Sequence, residues 1–241
     1  MKKIFIGTSG WHYAHWSGPF YPQGLPKEGF LGYYARHFDT VEVNSSFYRL
    51  PEEDTVRAWR DSVPEGFIFS VKASRFITHN KNLKDPETTL PLFFGRAGLL
   101  GEKLGPVLFQ LPPGWKINIE RLEGFLDALP KGHRYAFEFR NPTWFDAGVY
   151  GLLKKHNSAF CIYDLDRTLS PVEATADFVY LRLHGPDGPY RGRYTDNSLR
   201  GWAREFSRWV GQARDVYCYF DNDEAGYAAA DALRLKGFLA R

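Results

Sequence analysis

The chain has 241 residues and a formal net charge of +3, with 24% charged and 44% hydrophobic residues, the balance of an ordinary globular protein. Its 20 Phe, 14 Tyr and 7 Trp exclude a disordered tail, which lacks the apolar area to offset chain entropy, and its 2 Cys exclude a disulfide framework. No apolar run approaches the roughly 18 residues of a membrane span. The apolar stretch after the basic start MKK ends after about four residues, short of the ~7–15 of a secretory signal. The expectation is a reduced, cytoplasmic protein with no membrane partner.

In chain order, β-rich apolar segments fall at 4–9, 40–44, 67–73, 106–111, 134–140, 159–164, 178–184 and 215–221. They read as largely continuous apolar runs, as buried parallel strands do. Helical patterns lie between them. Val56, Trp59 and Val63 mark one, opened by Pro51-Glu52-Glu53 and stopped by Pro64. Ile119, Leu122, Phe125, Leu126 and Leu129 mark another, closed by Pro130. Leu199, Trp202, Ala203, Phe206, Trp209, Val210 and Ala213 trace one face of a helix with Asn197 or Ser198 as N-cap. Ala225, Ala228, Ala232, Leu235 and Leu239 mark the last. Eight such βα units of about 30 residues predict a single-domain (β/α)₈ TIM barrel over 1–241, since that fold takes ~250 residues. The alternative, an open doubly wound sheet, lacks its Gly-x-Gly-x-x-Gly fingerprint and any Walker A motif. The weak unit starts at Ala159: Phe178 follows after only 19 residues, so its helix must be short or distorted.

In a barrel, alternate strand residues face inward, and active sites lie at the C-terminal ends of the strands. The polar residues there are Glu42 and Asn44, Lys72 and Ser74, Gln110, Glu138 and Arg140, Asp164, Arg182 and His184, and Asp221 and Asn222. Pairs two apart share a face. An inert barrel would carry branched aliphatics here, because buried charge is costly unless paired. These groups are therefore either a ligand site or a neutralised ion-pair plug, and the site is the expectation.

At these residues the sequence resembles the YecE-like family, a widespread group classed as a domain of unknown function. The matching segments are IGTSGWHY, FDTVEVNSSFYRLP, FSVKASRFITH, GPVLFQLPP, YAFEFRNPTWF, YLRLHG and YFDND. The resemblance implies a TIM barrel, comparable with sugar-isomerase and apurinic-endonuclease barrels, and no settled activity. Ser74 stands where the family pattern has proline, and YFDND where it has paired asparagines, so an inward Asp221 would add a negative charge that many relatives lack.

The chemistry expected is acid–base or binding work on a small anionic ligand, phosphate-bearing or sugar-like. Glu138 is the expected base or nucleophile. Lys72 and His184 complete the catalytic candidates. Glu42 and Glu138 could act as paired carboxylates. Lys72 could form a Schiff base only if its pKa were depressed, whereas a neighbouring Glu42 or Glu138 should raise it. The loop HGPDGPYRGRY, with Arg191 and Arg193, should bind an oxyanion after the seventh barrel strand. Trp11 and Trp144 should line the mouth, with Asn44, Gln110, Arg140, Asn141, Asp164, Arg182 and Asp221 as further contacts. A metal held by Glu42, Glu138, Asp164, Asp221 and His184 is disfavoured by the cations sharing their space, and the sequence leaves the cofactor unknown. The mouth aromatics keep a nucleic-acid-binding or phosphodiester-cleaving, endonuclease-like protein as the alternative, although +3 is too small for a basic stripe. The remaining alternative is a non-catalytic scaffold. A wet mouth predicts that Glu138→Gln costs less than ~1.5 kcal/mol of stability; a dry ion pair predicts about 3–5 kcal/mol. The wet outcome is expected.

Overall fold

The computed structural model describes residues 2–240. Eight strands pair in parallel: β1 (Ile4–Thr8), β2 (Thr40–Val43), β3 (Ile68–Lys72), β4 (Leu104–Leu111), β5 (Tyr135–Phe139), β6 (Ala159–Leu165), and then, beyond the short β7 (Thr168–Leu169), β8 (Phe178–Leu183) and β9 (Asp215–Phe220). The ladder runs β1-β9-β8-β6-β5-β4-β3-β2, with β7 off the path as an antiparallel partner of β6. The ring is nearly closed, and the expected (β/α)₈ TIM barrel is what the chain forms. The helices are α1 (Phe30–Tyr34), α2 (Ser45–Tyr48), α3 (Glu53–Asp61), α4 (Pro86–Ala97), α5 (Ile119–Ala128), α6 (Ala147–Lys155), α7 (Asp196–Gly211) and α8 (Tyr227–Leu239). No helix among the described residues is long and apolar enough to cross a membrane.

Two apolar layers hold the barrel. The outer one lies between strands and helices, as where Phe125 of α5 packs edge-on against Phe109 of β4 at 5.0 Å. Each such buried side chain contributes about 1.5–3 kcal/mol. The inner layer fills the barrel with Phe5, Ile68, Leu108, Ala136, Cys161, Phe178, Tyr180, Tyr217 and Tyr219. Tyr219 is the polar centre of this layer: its hydroxyl lies 2.6 Å from Ser70 Oγ and 2.8 Å from Thr40 Oγ1. Both cysteines are buried free thiols.

The barrel closes between β1 and β2 through a side chain. Thr8 N–H donates to the Tyr34 hydroxyl at 2.9 Å, and that hydroxyl donates to Thr40 O at 3.1 Å. One phenol thus stands in for ladder hydrogen bonds until Gly10 N–H reaches Glu42 O at 2.8 Å. Gly7 makes the approach possible, since a Cβ there would lie 2.2 Å from Thr40 O.

Two local expectations are corrected. No helix fits between β6 and β8. The chain turns at Asp166 and Arg167, both at positive φ, into the β6–β7 hairpin, as a two-residue type I′ turn requires. Thr175 Oγ1 and Ser170 Oγ then accept from Phe160 N and Tyr163 N along β6. The cap of α7 is Thr195, whose side chain accepts from Ser198 N, rather than Asn197 or Ser198.

Candidate functional site

The inward face of each strand can be read from the inner layer. Tyr180 and Tyr219 point inward, so Arg182, His184 and Asp221, two and four residues on, do so at the mouth. Leu108 places Gln110 inward, and Ala136 places Glu138 and Arg140. Cys161 is inward on β6, so Tyr163 follows it and Asp164 faces out.

Arg182 is the centre of the mouth and 1% exposed. Its Nε donates to both Glu42 oxygens at 3.1 Å, and its Nη2 donates to Glu42 Oε1 at 2.8 Å. Its Nη1 donates to Glu138 Oε2 at 2.9 Å, and Nη2 lies 3.3 Å from Asp221 Oδ2. Glu42 also accepts from Ser9 Oγ at 2.5 Å, Tyr180 OH at 2.6 Å and Asn44 Nδ2 at 3.2 Å. Glu138 Oε1 accepts from Arg140 Nε, and Cys161 Sγ lies 3.7 Å from Oε2. Burial would raise the Glu138 carboxyl, but Arg140, Arg182, His184 and Lys72 overcome it and hold it well below the usual range. Both oxygens are taken and the residue is fully buried. The expectation of a wet Glu138 is therefore corrected: it is half of a dry pair, and its oxygens are committed to arginine donors rather than open to a substrate.

His184 has a fixed tautomer. Arg140 Nη2 and Arg182 Nη1 approach its Nε2 at 3.1 and 3.3 Å, and a guanidinium only donates, so Nε2 carries the lone pair. The proton is then on Nδ1, 3.0 Å from Asp221 Oδ2, although the contact is not a well-directed hydrogen bond. Burial and Arg182 push the imidazole pKa down, against Asp221 and Glu138, and keep the ring neutral. Burial would raise Asp221, but His184 and Arg182 bring it down. Asp221 thus does face inward and adds the negative charge anticipated from YFDND.

Lys72 differs from the other cations. Its Nζ has no carboxylate within salt-bridge distance and no hydrogen-bond acceptor among the described residues, and it stands 4.2 Å from the centre of the Phe47 ring. Burial and Arg182 lower it to about 8, against the pull of Glu138, Glu42 and Asp221. The expectation that Glu42 or Glu138 would raise Lys72 had the right sign but the wrong balance, because those carboxylates are already neutralised by Arg182 and Arg140. Gln110 makes no side-chain hydrogen bond, and Arg140 Nη1 has no acceptor among the described residues. Lys72, Gln110 and Arg140 end three successive strands, β3, β4 and β5.

Other expected contacts lie elsewhere. Trp144 is fully buried, stacked on Phe139 at 4.9 Å with its indole N–H donated to Trp115 O. Asn141 caps the next turn by accepting from Thr143 N and donates to Pro113 O. Asp164 accepts from Tyr194 OH at 3.0 Å, outside the barrel beside α7. Trp11 lines a side cavity of about 640 Å³ with Trp59 and Asn44. Arg193 turns to Asp231 of α8, with 3.6 Å between Nε and Oδ1. Arg191 edges the mouth, but in the company of Asp221, Asp223 and Glu224. The loop N–H of Gly192 already points at Glu224 Oε2, and Gly185 allows the loop to fold over the site because a Cβ there would lie 2.1 Å from Arg191 O. Among the described residues, no three His, Cys, Asp or Glu side chains converge as metal ligands. Sequence reasoning missed Ser9, Tyr180 and Tyr34. Tyr180 was accessible by stepping two residues back from Arg182.

Fold and mouth together define a TIM-barrel protein with a charged site at the C-terminal ends of its strands. The chain belongs to the family described as protein of unknown function DUF72, which matches residues 5–241. The expected kinship with YecE-like proteins holds. UPF0759 protein YecE of Escherichia coli K12 is 32% identical over 146 residues, 60% of this chain and 51% of that protein, so the match spans about half the relative's length. UPF0759 protein YunF of Bacillus subtilis is 28% identical over 94% of this chain and 91% of its own. A DUF72 family protein from Thermotoga maritima superposes with a TM-score of 0.90 at 28% identity, covering 99% of this chain and 100% of that one. D-psicose 3-epimerase with D-tagatose from Clostridium cellulolyticum H10 is similar in fold alone, with a TM-score of 0.60 at 11% identity, covering 100% of this chain and 98% of that one.

Proposed function

We infer that the mouth binds a small anionic ligand, phosphate- or carboxylate-bearing, on the arc formed by Lys72, Gln110 and Arg140. The observation that carries this reading is the set of unmatched donors among the described residues at the ends of three adjacent strands, the Lys72 ammonium, the Gln110 amide and the Nη1 of Arg140, above a floor of paired ions that already engages Arg140 Nε. Buried polar groups are ordinarily satisfied, and unpaired charged donors facing a concave mouth suit an oxyanion. The amine of Lys72, near its titration point at neutral pH, favours an enzyme over a passive scaffold. The β8–α7 loop is the weaker anion candidate, because Asp221, Asp223 and Glu224 surround Arg191. Isothermal titration with inorganic phosphate tests the choice. Lys72→Met is expected to weaken binding about tenfold or more, the loss of one charge-assisted hydrogen bond. Arg191→Ala and Arg193→Ala are expected to change it less than about twofold. Loss of binding in Arg191→Ala with Lys72→Met unaffected would move the site to the loop.

One observation favours a second reading. The exposed Tyr48, Phe76 and Tyr190 follow β2, β3 and β8 around the same rim and could stack on the bases of a single strand. Binding of a fluorescent single-stranded oligonucleotide, weakened by salt and by Tyr48→Ala, would support it.

A further inference from the structure

We propose that Lys72 forms an imine with a carbonyl compound that carries an anionic group, an oxo acid or a phosphorylated aldehyde or ketone. This deepens the anion-site reading and rests on it for the anchoring of the charged group by Gln110 and Arg140. Four features of the site lead there. Lys72 is at the C-terminal end of β3 on the inward face, where a ligand in the mouth meets it. Its Nζ has no carboxylate partner, so attack on a carbonyl breaks no ion pair. The Phe47 ring, 4.2 Å away, covers one side of the amine and leaves the side towards the mouth for a ligand. Glu138 and Glu42, the carboxylates that would otherwise trap it as ammonium, are held by Arg140, Arg182, Ser9 and Tyr180.

The charged and titratable groups acting on Lys72 are Arg182, Glu138, Glu42 and Asp221, and its own charge helps to depress His79. With the amine brought down to about 8, about one molecule in ten carries a neutral Lys72 at pH 7, against well under one in a thousand for a free lysine. The step conserves atoms and charge. The nitrogen lone pair of the neutral amine forms a bond to the carbonyl carbon, and the C=O π pair moves to oxygen, which takes up a proton. The nitrogen gives up one proton to leave a neutral carbinolamine. A second proton, the one the ammonium released on becoming the amine, protonates the carbinolamine hydroxyl, and the nitrogen lone pair then expels it as water, giving an iminium. Overall, a lysine ammonium and a carbonyl become an iminium and one water.

The test is reductive trapping of the full chain with sodium cyanoborohydride near pH 7, using pyruvate and glycolaldehyde phosphate as anionic carbonyls and acetone as the uncharged control. Adducts are located by peptide mass mapping, alongside phosphate titration of the same protein. Lys72 should be labelled ahead of the surface lysines, about tenfold more by pyruvate than by acetone if the anion contributes one charge-assisted contact. Lys72→Arg keeps the cation, so it should retain phosphate binding and lose the adduct. Labelling spread over surface lysines, with phosphate bound but Lys72 untouched, overturns the imine and leaves the anion site standing. Equal labelling of Lys72 by pyruvate and acetone, without phosphate binding, overturns the anionic substrate class and the reading beneath it.

Discussion

The two halves of the barrel mouth are both lined by polar and charged side chains, and they engage them to different degrees. On the β8–β9 side, Arg182, His184 and Asp221 contact one another, and Arg182 also binds Glu42 and Glu138. On the β3–β5 side, the Lys72 and Gln110 side chains have no hydrogen-bond or ion-pair partner among the described residues, and Arg140 reaches Glu138 and His184 with only part of its guanidinium. Charge in a barrel mouth is therefore no sign of a ligand site by itself. What distinguishes the two halves is whether the donors and acceptors are already matched within the protein, because only unmatched ones gain from binding a ligand.

The sharpest way to break this comparison is to remove one cation from each half. Arg182→Met should lower stability by about 3–5 kcal/mol or more in urea unfolding, since it leaves two fully buried carboxylates without their main partner. Glu138→Gln should cost about 3 kcal/mol, because both arginines lose the carboxylate charge and one of Arg140 and Arg182 meets an amide NH2 donor in place of an acceptor. Lys72→Met should bring no loss and, at neutral pH, a gain, because it removes a buried ammonium that no counter-ion neutralises. A Lys72→Met loss as large as that of Arg182→Met would erase the distinction.

The unpartnered Lys72 and the ion-paired Glu138 should also differ in pH dependence. Lys72 titrates near 8 when folded and at its ordinary 10.5 when unfolded, so the unfolded chain binds more protons in between. Its penalty is complete below about pH 8 and is relieved as pH rises from there towards 10.5. The wild type should gain stability over that window relative to Lys72→Met. Glu138 is depressed when folded, so its contribution is present above its ordinary 4.5 and is lost as the pH falls through the folded value. Relative to Glu138→Gln, the wild type should lose stability only on the acid side. Parallel curves for Lys72→Met and wild type across the alkaline window would count against the lowered amine.

The smallest expected effect concerns Arg193. Its side chain is 56% exposed and its contact with Asp231 is long, so Arg193→Ala should change stability by no more than about 0.5 kcal/mol. A larger loss would mean that the loop braces the mouth.

The barrel was legible because its strands are apolar runs ending in polar residues two apart, a period that reports facing directly. The same period misplaced Asp164, because nothing in FCIYDL marks whether Cys161 or Ile162 faces in; both are apolar and fit either layer. Glu138 was found but misjudged. A glutamate two residues from an arginine reads the same whether water or a second arginine occupies its other side, and Arg182 reaches it from a strand 44 residues away in sequence. Lys72 was underrated for the same reason, since its neighbours' charges were visible but their prior pairing was not. Trp144 and Asn141 were taken for lining because they follow a site strand; the buried indole and the capping amide show that the first turn after a strand can belong wholly to packing.

The Tyr34 closure bears on the order in which the protein can be assembled. β1 precedes the other barrel strands in sequence, yet among the described residues its continuous ladder is with β9, which follows them all. With its sequence neighbour β2 it shares a phenol, a glycine-sized gap and one bridge at the rim. The growing chain can lay β2 to β9 edge to edge as they emerge, while β1 waits more than two hundred residues for its partner. Ser9, one residue beyond β1, delivers its hydroxyl to Glu42, so the ion cluster at the mouth is complete only once β1 has docked beside β9.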